Sequence, residues 1–436
     1  MKARSILAVA AVLRKQEGRM RRSLTKANGP AIWALLAGLG LGASSALAKP
    51  GDLLRMFQKP TPAANDDFGC SVAAVGNKIL IGAYRDNAGA TDAGAAYLFD
   101  GSTGALVRTF LNPTPAADDW FAWSVAAVSD NVLIGAPYKN TGATDAGATY
   151  LFDGSTGVLL RTFLNPTPGE SVGFGCSVAA VGDNVLVGAY GADAGAGAAY
   201  LFDGSTGALL RTFLNPTPDA VDYFGNSVAA VGNNVLVAAR GDDTGAANAG
   251  AAYLFDGSTG ALLRTFLNPT PAAGDEFGCS VGTVGNNILI GANGDDAGAG
   301  AAYLFDGSTG ALLLTFLNPT PAASQWFGFS VAAVSDNVLI GAPWDDAGAT
   351  DAPAAYLFDG STGALLRTFL NPTPDAGDLF GSYVAAVGNN VLVGAPWDDA
   401  GATNAGAVYL FEGIPEPATL LLLGLAGLAL VGRKRK

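Results

Sequence analysis

Aspartate carries most of the chemical capacity of this sequence, and it recurs at fixed phases of a repeated string. The clusters are Asp86 and Asp92, Asp193, Asp242 and Asp243, Asp295 and Asp296, Asp345, Asp346 and Asp351, and Asp398 and Asp399. Hard cations such as calcium take several oxygen ligands at flexible spacing, which Asp, Asn and the carbonyls of Gly-rich loops supply. Asp86, Asp92, Asp345, Asp346, Asp351, Asp398 and Asp399 are therefore the candidate metal ligands, with calcium the one cofactor considered. Their spacing fits no defined calcium loop, and a solvated acidic face is the simpler alternative.

Aromatic residues form the second candidate set. Trp344 and Trp397 follow Gly-Ala-Pro in two copies of the string, and Tyr84, Tyr138 and Tyr190 read as their equivalents in three others. A ring of exposed aromatics would stack on sugar rings; packing against a neighbouring repeat is the competing reading. Arg240-Gly241-Asp242 spells an adhesion tripeptide that short Gly/Asp-rich loops produce by chance.

No catalytic residue is assigned. The chain has no histidine, which removes the usual general base and the commonest metal ligand. Cys70, Cys176 and Cys279 share one phase in non-adjacent repeats, too far apart for a disulfide, and read as buried fillers. Asp-Gly-Ser-Thr-Gly recurs as a turn rather than a nucleophile elbow, and no helix follows any glycine fingerprint.

The elements that must position these groups come from one repeat. FGCSVAAVGNKILIGAYRDNAGATDAGAAYLFDGSTGALVRTFLNPTP begins at Phe68, and its start recurs at Phe121, Phe174, Phe224, Phe277, Phe327 and Phe380. Spacings of 53 and 50 residues are those of a propeller blade. In the third copy four strands are expected over 177–181, 184–189, 198–202 and 208–213. Gly182-Asp183 and Asp203-Gly204-Ser205-Thr206-Gly207 supply hairpin turns between them.

GDLLRMF at 51–57 matches the fourth strand although no repeat precedes it, and the seventh repeat ends before its own fourth strand. The N-terminal strand is thus expected to complete the last blade and close a ring. The fold class is all-β, a seven-bladed propeller of four-stranded antiparallel blades. Antiparallel order puts the tight turns on one face and the long 2→3 and 4→1 loops on the other. Differences between blades gathered at one channel mouth would mark an active site; scatter over outer loops would mark a scaffold.

Net charge is −13, but the basic residues crowd the two ends, leaving the repeats with 12 basic and 35 acidic residues. Such a body repels nucleic acid and anionic membrane. Residues 1–48 read as a signal peptide: basic start, apolar run, and Ala46-Leu47-Ala48 as the signal-peptidase site. Met20 is a second candidate start. Residues 49–413 form the propeller. In 414–436, Pro415-Glu416-Pro417 precedes 15 uncharged residues and then Arg433-Lys434-Arg435-Lys436. A helix over that apolar run would enter a membrane, with the basic end staying cytoplasmic.

The tail resembles the PEP-CTERM sorting signal of Gram-negative bacteria. That resemblance implies recognition by an exosortase, transient or retained anchoring through a hydrophobic helix, and export to the outer surface, often among exopolysaccharides. FGCSVAAVGDNVLVGAYGADAGAGAAYLFDG at 174–204 resembles the FG-GAP repeat, the blade unit of integrin α-subunit propellers. That family often carries a DxDxDG calcium loop between the first two strands, which here shrinks to two residues, so its calcium site is not implied. AYLFDGSTGALLRTF is also similar to strands of quinoprotein-type propellers. The function expected is a surface or matrix module that binds polysaccharide or protein, without enzymatic activity. A calcium-stabilised adhesin and a quinoprotein-like or lyase-type propeller enzyme are the alternatives.

Overall fold

The computed structural model describes residues 52–345, 353–375 and 377–413. The cleavage-site residues Ala46 and Ala48, both flanking helices, and the sorting residues Pro415, Glu416, Pro417, Arg433, Lys434, Arg435 and Lys436 lie outside those residues. So do Asp346 and Asp351. Among the described residues no helix is long and apolar enough to cross a membrane.

The strands begin with β1 (Leu53–Gln58), β2 (Ser71–Val75), β3 (Lys78–Ala83), β4 (Ala95–Asp100) and β5 (Leu106–Leu111). β2 to β5 make the first blade in chain order, and five further sheets repeat that order. The last sheet joins Tyr383–Val387, Asn390–Ala395 and Ala407–Phe411 to β1. β1 runs antiparallel to Ala407–Phe411, with Phe57 opposite Val408, so the first strand of the chain completes the seventh blade. The expected closure is what the molecule uses.

Each strand boundary follows from local chemistry. Gly76 at φ +60° opens the two-residue turn between β2 and β3, and Ser129 and Ser335 adopt the same positive φ in the copies that lack that glycine. Asp100 accepts from the backbone N–H and hydroxyl of both Ser102 and Thr103, which holds the five-residue turn into β5. Five other blades repeat that turn with Asp153, Asp203, Asp256, Asp306 or Asp359.

The apolar core lies between blades rather than within them. One cluster joins Val75, Leu80, Leu98 and Phe110 of the first blade to Phe121, Ile134, Tyr150 and Phe152 of the second. The closing cluster joins Leu392, Val408 and Leu410 to Phe68, Ile81 and Phe99. Phe121 is fully buried, with its ring 6.1 Å edge-on from Phe152. Its backbone N–H bonds Ala93 across the seam at 3.0 Å. Gly94, at φ +84°, allows that approach, because a Cβ there would collide with the Phe121 carbonyl. At the rim, Arg108 Nη2 donates to the Ser155 carbonyl of the next blade at 2.5 Å. Arg55 of β1 does the same to Ser102 across the closure at 2.9 Å.

Candidate functional site

The first strands are innermost, and their N-terminal ends surround a cavity of about 370 Å³ on the ring axis. Every blade contributes to its wall, from Ser71 and Ser124 through Ser227 and Ser280 to Ser382. The inner serines stitch blades together: Ser71 donates to the Ala122 carbonyl at 2.9 Å and Ser124 to Gly175 at 2.8 Å. Residues at the ends of the second strands (Tyr190, Arg240, Asn293) and of the 4→1 loops (Tyr223) complete the wall. The mouth therefore opens on the long-loop face.

Differences between blades gather here. The phase that holds Cys70, Cys176 and Cys279 holds Trp123, Asn226, Phe329 and Ser382 in the other blades, and all but Cys70 line the cavity. The thiols donate weakly to carbonyls of the following blade, Cys176 to Gly225 at 3.4 Å. Burial pushes all three up to about 12, so they stay protonated and unreactive.

Aromatic rings form a belt from the first blade to the fourth. Trp120 stacks on Trp123 with centroids 5.3 Å apart, and Tyr84 packs 5.0 Å from each. Tyr138 meets Trp120 edge-on at 4.4 Å, and its hydroxyl lies 3.1 Å from that of Tyr190. Tyr190 leads to Tyr223 at 5.8 Å, over which Arg240 lies at 5.5 Å. Arg240 is exposed and reaches Glu276 at 3.6 Å. A second group, Trp326, Phe329 and Trp344, sits on the sixth blade.

Two polar atoms of this region lack partners. Asn293, 7% exposed, has a buried carbonyl oxygen without a donor, and the Trp120 indole N–H is likewise unmatched. Leaving such groups unpaired is costly, and of the two residues Asn293 borders the cavity. Arg240, Asn293, the serines and the aromatic faces can thus recognise a neutral, hydroxyl-rich molecule by stacking and hydrogen bonding.

The five aromatics picked from sequence do not share one position. Tyr84 and Tyr190 directly follow the last alanine of the second strand, where Pro137, Pro343 and Pro396 stand elsewhere; Tyr138, Trp344 and Trp397 come one residue later. Tyr84, Tyr138 and Tyr190 are half-buried in the belt, while Trp344 and Trp397 are exposed. Trp120, Tyr223 and Trp326 were not picked. They occupy the residue before the Phe that opens each repeat, and that shared phase is the signal that finds them.

The acidic loops are not one solvated surface. Asp86, Asp242, Asp295, Asp345 and Asp398 are all buried, and each accepts a hydrogen bond from a tyrosine hydroxyl of its own blade. Asp86 also pairs with Lys59 at 2.9 Å. Burial of Asp242 takes the adhesion tripeptide's carboxylate out of reach of a receptor. Asp92 is half-buried, with burial raising it above the usual carboxylate range, and Asp399 bonds the Asn404 backbone N–H at 2.8 Å. Among the described residues no three acidic, Cys or His side chains converge to hold a metal.

Seven segments, 61–99, 112–152, 169–202, 218–255, 269–305, 319–358 and 373–411, match the FG-GAP repeat, one per blade. Residues 413–436 match the PEP-CTERM protein-sorting motif, which implies exosortase-mediated processing, export and sorting to the cell surface. No curated protein matches the chain. A chain from the "Crystal Structure of Mitotic Checkpoint Complex" is similar in fold alone. It shares 12% identity at a TM-score of 0.56, over 86% of this chain and 96% of that one.

Proposed function

This chain belongs to the FG-GAP repeat family, and from that premise we propose that it is a surface-displayed binding module, without enzymatic activity, whose channel mouth holds a polysaccharide. Its PEP-CTERM tail makes it an exosortase substrate, so its ligands are those of the outer surface. One observation carries the ligand class: stacked aromatics, an exposed arginine and an unpaired buried amide oxygen surround one cavity that all seven blades build. Sugars present apolar ring faces and a rim of hydroxyls, the two features that this wall complements. The acidic body argues against nucleic acid.

The same asymmetry between blades favours a second reading, a lyase-type or quinoprotein-like enzyme. The wall offers no histidine and only protonated thiols, so binding is the better account. Binding of the intact chain to an array of neutral bacterial polysaccharides separates the readings. Trp123→Ala and Arg240→Ala should each weaken binding about tenfold to a hundredfold, a loss of roughly 1–3 kcal/mol, with unchanged Tm. Affinity that survives both substitutions would move the site elsewhere, and shortening of the bound polymer would make the protein an enzyme.

A further inference from the structure

Beneath the loop face, six of the seven junctions between blades carry one buried polar triad. Its members are the residue after the outer strand, a residue seven further on in the 4→1 loop, and the third residue of the 2→3 loop. Comparing the seven junctions shows a rule of charge. In the junction leading into the first blade, Lys59 Nζ lies 2.9 Å from both Asp66 and Asp86. In the second, Asn112 takes the first place, and Lys139 in the third place reaches Asp119 at 2.8 Å. The junction into the third blade has neither carboxylate, with Val172 and Ala192 in their places. In the sixth, Gln325 replaces one aspartate and donates Nε2 to Asp345 at 3.0 Å.

Junctions four, five and seven break this rule. They pair Asp222 with Asp242, Asp275 with Asp295, and Asp378 with Asp398, and the first place is only asparagine. Asn215, Asn268 and Asn371 donate to Asp222, Asp275 and Asp378 at 2.7, 2.8 and 2.6 Å. All six carboxyl groups are nine-tenths or more buried. Where the sequence keeps both positions polar in the other blades, it supplies a donor between them: an ammonium twice and an amide once. These three junctions have none of their own.

We propose that the pairs at junctions four and five each hold one proton between their aspartates, doing the work of Lys59, Lys139 and Gln325, so that the ring is bolted in acid and loosens as pH rises. One carboxyl O–H donates to the partner carboxylate; on deprotonation two buried anions face each other. The charged groups acting on Asp222 are Asp242 and Asp219, and on Asp275, Asp295. All are carboxylates. The neutral neighbours Tyr253 and Tyr303 donate to the second member of each pair. Burial first, then the facing carboxylate, raises Asp222 to about 6 and raises Asp275. A raised folded-state value means that the stabilisation is complete below the unfolded value of 3.8. It is lost as pH climbs through about 6.

The test is thermal and urea unfolding of the intact chain from about pH 4 to about pH 8 in chelator. Each junction should shift the unfolding equilibrium by roughly tenfold to a hundredfold toward the unfolded state over that range. Two independent double variants should flatten the profile. Asp222→Asn with Asp275→Asn replaces the protonated partner with a neutral donor. Asn215→Lys with Asn268→Lys copies the first junction. A wild-type profile that is already flat, or one that persists in whichever variant folds, overturns the proposal. So does recovery at high pH on adding calcium to wild type but not to the asparagine double variant, which would make the pairs metal sites.

Discussion

The two faces of the ring use the same side chain in opposite ways. On the turn face, Asp100, Asp203, Asp256, Asp306 and Asp359 are held down to about 2, chiefly by hydrogen bonds from the Ser and Thr two and three residues on. On the loop face, Asp66, Asp222, Asp275, Asp378 and Asp398 are raised, chiefly by burial. Turn-face carboxylates are satisfied by donors within three residues, so the turn is complete before any blade meets another. Loop-face carboxylates accept local hydrogen bonds as well, Asp66, Asp222, Asp275 and Asp378 each from the backbone N–H three residues before it, but the packing of blades then buries them. The difference teaches that local donors favour a charge in solvent, whereas burial in a tertiary seam outweighs them.

The largest blow to that contrast should come at the seam itself. Phe174→Ala empties a fully buried site that packs on Tyr200 and Phe202, and should cost about 3–5 kcal/mol in urea unfolding. A loss below about 1 kcal/mol would mean that the seam does not govern stability.

Lys59→Met sharpens the contrast on the loop face. It leaves Asp66 and Asp86 buried without their ammonium and should cost about 3–5 kcal/mol near neutral pH. The deficit should shrink as pH falls and a proton replaces the lysine. An equal deficit at all pH values would show that packing of the side chain matters and its charge does not.

The smallest effect belongs to the turn face. Asp203→Asn removes a carboxylate that is stabilising above its unfolded value of 3.8 and loses that role as pH falls through about 2. Its acid unfolding limb should differ slightly from wild type, while the profile above neutrality should not change. Any alkaline change would couple the two faces, which the local account forbids.

Much of this was legible in advance. The repeat spacing, the strand pattern and the unmatched GDLLRMF string specify seven blades and the closing strand, because hairpin chemistry is local. The third blade's strands fall within a residue of expectation. The site was legible only in part. Tyr190 lines the cavity, and Tyr84 and Tyr138 pack on Trp123 and Trp120, but the tryptophans and tyrosine that precede the opening Phe had no visible partners until the inner strands met. A solvated face, one of the two readings of the acidic loops, does not hold for Asp86, Asp242, Asp295, Asp345 and Asp398, which are buried. Their signal was present as a constant separation: Asp86 to Tyr97, Asp242 to Tyr253, Asp345 to Tyr356 and Asp398 to Tyr409 are each 11 residues apart.

Sequence alone determined the number of blades, the turns, the closure and the sorting tail, since each rests on residues close along the chain or on a repeated phase. Tertiary structure alone decided which variable positions share a cavity and which loop carboxylates leave water. Ring closure brings together side chains hundreds of residues apart, and a carboxylate's protonation depends on what surrounds it in space.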